Sequence, residues 1–363
     1  MKILYIIASL DKRMGGTTVS ILNYYNAIKK EADIKIATTF TNSESAYIDD
    51  CLLNDKNILF FPVSIGYWRF SYQLYNYIKK NINNFDIVHV HGLWVFPTYY
   101  GARCANRSDI PCIVSPHGMV QNFAISQKRI KKFFYWTLFE RHVFNMAKLI
   151  HCITLGEEAS VKTLSSTKAF VLPNGVFINK YKERKHHQPD SLLFVGRLHP
   201  IKGIENLIKS IGLIDHVNLI IAGKGTKEYE VYLQRLVCDL GLNNRINFVG
   251  FVEKNIIHQL YDQSTALIVS SYTEVLSLVA IEALADSMPV IITKQCDFED
   301  IQKYNAGVII KNNLPFNIAD GIKVLLSMDH ELLTRNAHKL ALNKFDINKL
   351  GASLLSVYKD NLS

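Results

Sequence analysis

The sequence lacks several signals that assign a protein to a class at once. Its six cysteines are scattered without a C-x-x-C pair, so the pattern predicts neither a disulfide framework nor a zinc ribbon. No G-x-G-x-x-G and no G-x-x-x-x-G-K-[ST] occurs, which argues against dinucleotide oxidoreductases and P-loop enzymes. No D-x-D triplet is present to carry a divalent cation, and no apolar run approaches the about 18 residues of a membrane span.

What is present indicates a basic, globular protein of two domains. At 363 residues the chain exceeds what one hydrophobic core usually fills. The formal net charge of +9 favours an anionic partner; because no nucleic-acid motif accompanies it, nucleotide diphosphates and anionic lipid surfaces are the better candidates. Residues 2–10 (KILYIIASL) lack a cleavage site and are followed at once by charge. We therefore expect a buried first strand, and the scattered cysteines fit a cytoplasmic protein.

Apolar runs of strand length alternate with amphipathic stretches of helix length from one end to the other. This alternation predicts an α/β fold with two doubly wound, Rossmann-like domains facing a central cleft. In a first domain of residues 1–180 we expect strands near 2–8, 33–39, 86–91, 111–115, 148–153 and 168–172, with helices near 17–30, 68–82, 97–106 and 128–146.

The alternation stops at the charged segment 180–190 (KYKERKHHQPD), which predicts a linker. A second domain, residues 190–345, follows with six strand candidates: SLLFVGR, VNLIIAG, RINFVG, TALIVS, PVIIT and AGVII. The amphipathic helix expected in 346–363 has no strand to lead into, so we expect it to pack back toward the first domain.

Two glutamates eight positions apart, Glu274 and Glu282, lie in a segment that reads as strand, loop, helix and strand. A carboxylate accepts two hydrogen bonds side by side, which suits a vicinal diol, and the loop before the helix presents N–H groups suited to phosphate. Arg197 follows another strand, and Lys202 comes five residues later, before a helix. Two cations placed like this can flank a diphosphate and offset the charge on a leaving group. Together these residues predict a nucleotide-sugar site.

Glycine-rich turns follow two of the predicted strands. Gly223 and Gly225 come after VNLIIA, and Gly15 and Gly16 come after the first strand. Glycine permits both a tight turn and the close approach of the backbone to an anion. These turns are therefore candidate phosphate contacts.

Three histidines lie in or beside strands of the first domain. His117 comes just past a strand, where an imidazole can hydrogen-bond a sugar hydroxyl or a phosphate oxygen. His89 and His91 alternate along a strand and therefore face the same side. Because no third ligand cluster accompanies them, we expect no metal site.

A basic and aromatic run occupies residues 127–144. On a helix it would suit an anionic lipid surface, with charges on the headgroups and rings at their boundary. A core helix with a solvated basic start is an equally good interpretation. The residues concerned are Lys128, Arg129, Lys131 and Lys132, followed by Phe133, Phe134, Tyr135 and Trp136.

Taken in order, GG after the first strand, SPHG, LPNGV, FVGRLHPIKG, AGKG, FVGFV and E-x7-E resemble the retaining GT-B glycosyltransferases of glycosyltransferase family 4. The likeness covers nearly the whole chain. The stretch HGLWVFPTYYGARCA, with SPHGM and the basic helix, is similar to bacterial enzymes that build surface polysaccharides such as O-antigen or capsule on a lipid carrier. The chain departs from the family at Val275-Leu276, where Gly-Phe is usual, and at Asp286-Ser287, where Cys-Gly is usual.

The resemblance implies a metal-independent transfer of a sugar from a nucleoside-diphosphate donor to an acceptor hydroxyl, with no cofactor and with retention of the anomeric configuration. It implies catalytic roles for His117, Arg197, Lys202 and Glu274, in which the two cations hold the diphosphate. It assigns donor contacts to Gly16, Gly223, Gly225, Val252, Val275, Leu276, Ser277, Leu278 and Glu282, with Glu282 on the ribose and Lys254 as a further neighbour of the base.

Several functions remain open at this point. The implied acceptor is a lipid-linked saccharide at the cytoplasmic face of the cell membrane, where the protein would be peripheral. A nucleotide-sugar epimerase or hydrolase would use the same donor site. A sugar-nucleotide-binding partner without catalysis would bind the donor and never turn it over.

Overall fold

The computed structural model describes residues 1–66, 68–120, 135–184 and 190–362, with the side chains of Met14, Lys254 and Asn255 left aside. The chain divides into two compact units. Unit 1 contains Met1–Asn174 and Ile347–Ser363, and unit 2 contains Gly175–Asp346. Within the described ranges, no helix has both the length and the apolar composition needed to cross a membrane.

Unit 1 is built on a parallel sheet with the strand order β3-β2-β1-β4-β5-β6-β7. The strands are β1 Lys2–Ile7, β2 Asp33–Phe40, β3 Ile58–Pro62, β4 Ile87–His91, β5 Cys112–Ser115, β6 Leu149–Cys152 and β7 Ala169–Val171. Its helices are α1 Gly16–Ile28, α2 Asn42–Ser45, α3 Asp50–Leu53, α4 Tyr72–Asn81, α5 Phe96–Arg107, α6 Arg141–Met146 and α7 Leu155–Leu164. Separate apolar clusters lie on the two faces of this sheet, which is why the central strands read as continuous apolar runs.

The strand β3 was not expected from the sequence. Its five residues, ILFFP, form the edge of the sheet beside β2, and four of them are only half-buried. An edge strand needs neither strong alternation nor a long apolar run, so its pattern is weak. The helix expected near 68–82 begins later, at Tyr72, because Arg69 adopts a positive φ and Ser71 caps the helix by accepting the Leu74 N–H at 3.2 Å.

Unit 2 has the six predicted strands in one parallel sheet of order β10-β9-β8-β11-β12-β13. They are β8 Asp190–Val195, β9 Val217–Ala222, β10 Ile246–Gly250, β11 Ala266–Val269, β12 Val290–Thr293 and β13 Gly307–Ile310. The helices are α8 Ile204–Ile211, α9 Lys227–Asp239, α10 Lys254–Asp262, α11 Leu278–Ala285, α12 Asp300–Lys303, α13 Pro315–Leu326 and α14 His330–Lys344. The apolar periodicity that produces an amphipathic helix is clearest in α8, where the residues at i, i+3, i+4 and i+7 are all buried.

The boundary between the units lies earlier than the end of the first domain expected at residue 180. Val176 already belongs to unit 2, where its N–H donates to the carbonyl of Phe345 at 2.9 Å. The segment expected to be a solvated linker also carries a buried side chain. Arg184 is 8% exposed and donates to the carbonyls of Tyr261, Ser264 and Asp286. The charge pattern failed here because one guanidinium satisfies several backbone carbonyls at once.

The last helix of the chain, α15 Ile347–Asp360, belongs to unit 1. It packs against α1, and a Cβ on Gly351 would lie only 2.8 Å from a methyl carbon of Ile28. Its Tyr358 is fully buried in the core of unit 1. Unit 1 is therefore built from two segments of the chain, and unit 2 lies between them in sequence.

Candidate functional site

Lys202 and Glu274 are 72 residues apart in sequence and form an ion pair in unit 2 between the lysine Nζ and the glutamate Oε1. Lys202 follows β8 through the short helix Pro200–Lys202, and Glu274 follows β11. The two strands are neighbours in a parallel sheet, so their carboxyl ends reach the same edge. The side chains are 22% and 17% exposed, which leaves both charges accessible to a ligand.

Hydroxyl groups fix the two loops that carry this ion pair. Ser270 Oγ donates to the carbonyl of Lys202 at 2.8 Å, and Ser271 Oγ donates to Glu274 Oε1 at 3.0 Å. Thr293 Oγ1 in turn donates to the carbonyl of Ser271 at 2.6 Å. Because all three hydroxyl residues are buried, the positions of Lys202 and Glu274 are set by the fold before any ligand arrives.

The buried thiol of Cys296 borders the same loops. Burial, with a smaller contribution from the nearby carboxylate of Glu274, raises the pKa of Cys296 to about 12. The thiol lies 3.2 Å from Thr293 Oγ1. Cys296 is therefore a packing residue that remains protonated at neutral pH, and it is not a nucleophile.

The other charged candidates, Arg197 and Glu282, lie at different positions in unit 2. Arg197 lies just beyond β8 with an exposed side chain, and among the described residues it has no hydrogen-bond partner. Glu282 lies in the middle of α11 and is half-buried. Its carboxylate lies close enough to Tyr261 to add to the effect of burial, which raises the pKa of that phenol well above its usual value.

The glycines after β9 are explained by packing within unit 2. A Cβ on Gly223 would lie 1.8 Å from the carbonyl oxygen of Gly196, and one on Gly225 would lie 2.3 Å from that of Leu198. The turn after β8 and the turn after β9 thus touch through their backbones. This contact requires glycine at both positions, whether or not an anion also binds there.

None of the residues in the loop 275–278 has a positive φ. Neither Val275 nor Leu276 is among the described residues with positive φ, so a β-branched side chain is tolerated where the family has glycine. Ser277 caps α11 by accepting the Ala280 N–H at 3.4 Å. At the other end of the helix, Ser287 takes the left-handed conformation with φ 61 that glycine usually supplies.

The remaining predicted donor residues lie at the ends of strands or the start of a helix. Val252 follows β10 and is half-buried, and Gly16 is the exposed first residue of α1 in unit 1. The side chain of Lys254 is outside the described set.

The basic residues Lys128, Arg129, Lys131 and Lys132 also lie outside the described residues. In the part of the chain that the structure describes, no group of three or more His, Cys, Asp or Glu is arranged to hold a metal ion.

A chain of hydrogen bonds crosses the sheet of unit 1, from α15 to the end of β7. Tyr358 OH lies 2.7 Å from His89 Nδ1, His89 Nε2 lies 2.7 Å from Ser115 Oγ, and Ser115 Oγ lies 2.9 Å from His151 Nδ1. The chain ends where His151 Nε2 meets the carbonyl of Leu172 at 2.8 Å. Tyr5 OH joins the other end, 2.8 Å from Tyr358 OH.

The carbonyl at the end of this chain fixes the direction of every bond in it. A carbonyl only accepts, so His151 carries a hydrogen on Nε2, and because burial keeps this imidazole neutral its Nδ1 accepts from Ser115. Ser115 therefore accepts from His89 Nε2–H, and His89 Nδ1 accepts from Tyr358, which accepts from Tyr5. This assignment keeps both imidazoles neutral. Burial agrees with it, because it lowers the pKa of His151 to about 4 and that of His89 well below its usual value.

His117 lies beside this chain and contacts His91. His117 Nε2 is 3.1 Å from His91 Nδ1, and the backbone of His117 has a positive φ of 51. Burial lowers the pKa of His117 to about 3, with a further contribution from His151. His117 is therefore a neutral hydrogen-bonding group at physiological pH and carries no charge toward a phosphate.

Two buried glutamates next to these loops were not identified from the sequence. Glu157 accepts from the N–H groups of Gly118 and Ile153, and Glu140 accepts from the N–H of Trp94 at 2.7 Å. Burial raises the pKa of both carboxyls, that of Glu140 to about 8. The pattern T-x-x-E at 154–157, a helix N-terminal signature, was a usable signal for Glu157. Glu140 lies in the segment FERH, where no sequence pattern distinguishes it from an exposed surface charge.

Two family models together match most of this chain. Residues 14–180 match the family described as Glycosyltransferase Family 4, and residues 177–340 match Glycosyl transferases group 1. The division between the two matches falls within a few residues of the division between the structural units.

Relatives of this chain include several glycosyltransferases. An uncharacterized glycosyltransferase of Methanocaldococcus jannaschii is 28% identical over 305 residues, covering 77% of this chain and 76% of the relative. A GDP-mannose:cellobiosyl-diphosphopolyprenol alpha-mannosyltransferase of Xanthomonas campestris is 23% identical, covering 90% of this chain and 87% of the relative. An O-antigen chain mannosyltransferase of Salmonella typhimurium is 28% identical over 54% of this chain and 57% of the relative.

Solved structures share the whole fold. The Anabaena protein HepE in complex with UDP and glucose superposes with a TM-score of 0.81 at 18% identity, covering 99% of this chain and 100% of that chain. Sucrose-phosphate synthase from Thermosynechococcus elongatus gives a TM-score of 0.79 at 17% identity, covering 99% and 98%. The predicted α/β fold of two Rossmann-like domains is confirmed, and the chain belongs to glycosyltransferase family 4, with the GT-B architecture of that family.

Proposed function

We propose that this glycosyltransferase is a retaining, metal-independent hexosyltransferase. It takes the sugar from a nucleoside-diphosphate donor and transfers it to a hydroxyl of a lipid-linked oligosaccharide during assembly of a surface polysaccharide, O-antigen or capsule. It acts peripherally at the cytoplasmic face of the membrane. The observation that carries the proposal is the Lys202–Glu274 pair, held by buried hydroxyls at the carboxyl edge of the unit 2 sheet.

The pair supplies the two kinds of group that a sugar nucleotide needs. Lys202, together with the exposed Arg197, supplies positive charge for the diphosphate, the role that a divalent metal fills in other transferases. Glu274 supplies a carboxylate for sugar hydroxyls, and Glu282 on α11 supplies one for the ribose diol. The backbone N–H groups at the start of α11, including that of Leu278, suit a phosphate oxygen.

The reaction that we propose proceeds by attack on the same face as the leaving group. The bond between the anomeric carbon and the phosphate oxygen breaks, and a bond from the acceptor oxygen to that carbon forms on the same face. The proton of the acceptor hydroxyl passes to the departing phosphate oxygen. Lys202 and Arg197 stabilise the charge on the diphosphate, while the neutral His117 hydrogen-bonds a substrate hydroxyl.

The relatives support the choice of acceptor and pathway. Two of them are a GDP-mannose:cellobiosyl-diphosphopolyprenol alpha-mannosyltransferase and an O-antigen chain mannosyltransferase. A structure of similar fold contains UDP and glucose. The net charge of +9 suits both an anionic donor and an anionic lipid carrier.

A donor screen followed by product analysis tests the proposal. The protein is screened by thermal shift against UDP, GDP and dTDP sugars, because a ligand at 100 times its Kd stabilises by about 2.7 kcal/mol. The stabilising donor is then incubated with a diphosphopolyprenol-linked saccharide, with and without EDTA, and the anomeric proton of the product is observed by NMR. We expect an acceptor-dependent, EDTA-insensitive product with the configuration of the donor. Sugar released or epimerised without acceptor would indicate a hydrolase or epimerase, and binding without turnover would indicate a non-catalytic partner.

Replacing Glu274 with glutamine is expected to separate diphosphate binding from sugar transfer. In the ligand-free protein Glu274 neutralises Lys202, so a nucleoside diphosphate must compete with this carboxylate. The variant frees the ammonium, and we expect Kd for the free nucleoside diphosphate to fall by about 3- to 10-fold, equivalent to roughly 1 kcal/mol. Transfer should decrease, because the carboxylate that holds the sugar is lost. Calorimetry and turnover assays measure the two effects, and weaker diphosphate binding by the variant would contradict the competition.

A further inference from the structure

His91 and His117 form a hydrogen-bonded pair of imidazoles in unit 1, separate from the hydrogen-bond chain that runs through His89 and His151. His91 Nδ1 and His117 Nε2 are 3.1 Å apart, so one hydrogen lies between them. The outer nitrogens, His91 Nε2 and His117 Nδ1, are buried and have no hydrogen-bond partner among the described residues. A buried polar atom without a partner costs about 1–3 kcal/mol, so the fold retains this pair at a cost in stability.

We propose that His91 is the positioning residue of His117: it occupies the Nε2 atom of His117 and thereby directs Nδ1 toward a substrate hydroxyl. This inference rests on the proposed function, because it assumes that His117 contacts a substrate. His91 itself contacts no substrate and acts only through His117.

His91 is rigid enough for this role. Its ring stacks on that of His89 with centroids 4.1 Å apart, and Tyr5 meets it edge-on at 4.8 Å. His89 is fixed at both nitrogens, by Tyr358 and by Ser115. The ring of His91 therefore packs against a side chain that can neither rotate nor change tautomer without breaking a buried hydrogen bond.

His117 has limited freedom of its own. Its backbone has φ 51 and that of Gly118 has φ 80, a turn that the buried Glu157 holds by accepting the N–H of Gly118. The turn fixes the Cα–Cβ direction, but it leaves the ring free to rotate about its side-chain torsions. The bond to His91 removes that rotation, which is what distinguishes positioning from simple packing.

The pair also allows the free nitrogen of His117, Nδ1, to be either a hydrogen-bond donor or an acceptor. If His91 donates the shared hydrogen, His117 carries its own hydrogen on Nδ1 and donates to the ligand. If His117 donates it, Nδ1 is an acceptor. Among the described residues, no carbonyl accepts from this pair as that of Leu172 does from the neighbouring chain, so both arrangements satisfy the 3.1 Å contact. A substrate hydroxyl, which can donate or accept, fits either one.

Two variants of His91 separate positioning from packing. Asparagine places a polar atom where His91 has Nδ1 and keeps the bond to His117, whereas glutamine places its amide near the Nε2 position and loses that bond. We expect His91→Gln to lower kcat by about 10- to 100-fold with little change in KM for the donor, since a misplacement of about 1 Å costs up to 10²-fold. His91→Asn should retain at least a fifth of the wild-type kcat.

The ring nitrogens of His117 provide a readout that needs no turnover. In ¹⁵N-histidine NMR spectra, assigned with the His117→Gln variant, we expect the wild type and His91→Asn to show a hydrogen-bonded Nε2 and His91→Gln to show a free one. Equal kcat for the two His91 variants, or a free Nε2 in the wild type, would overturn the proposal. If the NMR result holds while the wild type transfers no sugar, the proposed function has failed and the positioning role falls with it, although the geometry of the pair stands.

Discussion

Replacing Lys202 with alanine should reduce sugar transfer by about 10³-fold while leaving the protein folded. The half-buried ammonium binds the diphosphate in our account, and removing one group that stabilises a leaving group typically costs about 10² to 10³ in rate. The effect on stability should be small, because the ion pair with Glu274 is partly exposed and Ser271 continues to hold the carboxylate.

The control for this experiment is Lys209→Ala, which removes an exposed lysine from α8, the helix that follows Lys202. Both variants are assayed for kcat/KM with the donor found by the screen and for thermal stability without ligand. Lys209→Ala should behave as the wild type. Turnover of Lys202→Ala within about tenfold of the wild type would remove Lys202 from the catalytic set.

Acidification should unfold unit 1 well above the pH at which most globular domains unfold. His89, His91, His117 and His151 are neutral in the folded state because burial lowers the pKa of each, whereas in the unfolded chain they titrate near pH 6.5. Their contribution to stability is fully present above pH 6.5 and is lost as the pH falls toward the folded values of about 3 for His117 and 4 for His151. Each depressed histidine lowers the free energy of unfolding by about 1.4 kcal/mol per pH unit in this range.

Other titrating groups packed beside these histidines modify the slope. The pKa of Glu140 is raised to about 8, so its destabilising effect is complete above about pH 8 and is relieved as the pH falls from 8 to about 4.5. Glu157 acts in the same direction. Tyr5 and Tyr358, whose pKa values are raised by burial, stay protonated throughout. The net loss is then about 3 to 4 kcal/mol per pH unit below pH 6.5, or about 8 to 10 kcal/mol by pH 4, which is enough to unfold a domain in the lower half of the typical stability range of 5–15 kcal/mol.

Tryptophan fluorescence measures this transition selectively. All three tryptophans, Trp68, Trp94 and Trp136, lie in unit 1, so their emission during acid titration reports that unit, while circular dichroism reports the whole chain. His151→Gln should reduce the pH slope by about 1.4 kcal/mol per unit, and His142→Gln, at an exposed position in unit 1, should not change it. A pH slope near zero between pH 6.5 and 4.5 would contradict the neutral histidine assignment.

Much of the fold followed from the sequence because both sheets are parallel and covered on both faces. Such strands are continuous apolar runs bounded by turn residues, and every strand of unit 2 was predicted this way. The edge strand β3 and the buried Arg184 escaped prediction. Strand β3 is mostly half-buried and therefore has no clear apolar pattern. The charge of the buried Arg184 is compensated by carbonyls of residues about 80 positions away in sequence.

The candidate site was predictable as a set of residues but not as an arrangement. Strand ends indicated Lys202, Glu274 and His117, yet the ion pair of the first two depends on β8 and β11 being neighbours. The partners of His117 depend on the parallel register of β4 with β5, which brings His91 opposite Ser115. No local pattern encodes these contacts, because they form only when the sheet is assembled.

Calorimetric titration of the protein with a nucleoside diphosphate and with its parent nucleoside tests the central claim most directly. We predict that the wild type binds the diphosphate far more tightly than the nucleoside, and that Lys202→Ala and Arg197→Ala each weaken diphosphate binding by at least about tenfold, or 1.4 kcal/mol, without affecting the nucleoside. Equal affinity of the wild type for diphosphate and nucleoside, or unchanged diphosphate affinity in both variants, would show that these cations do not hold the donor.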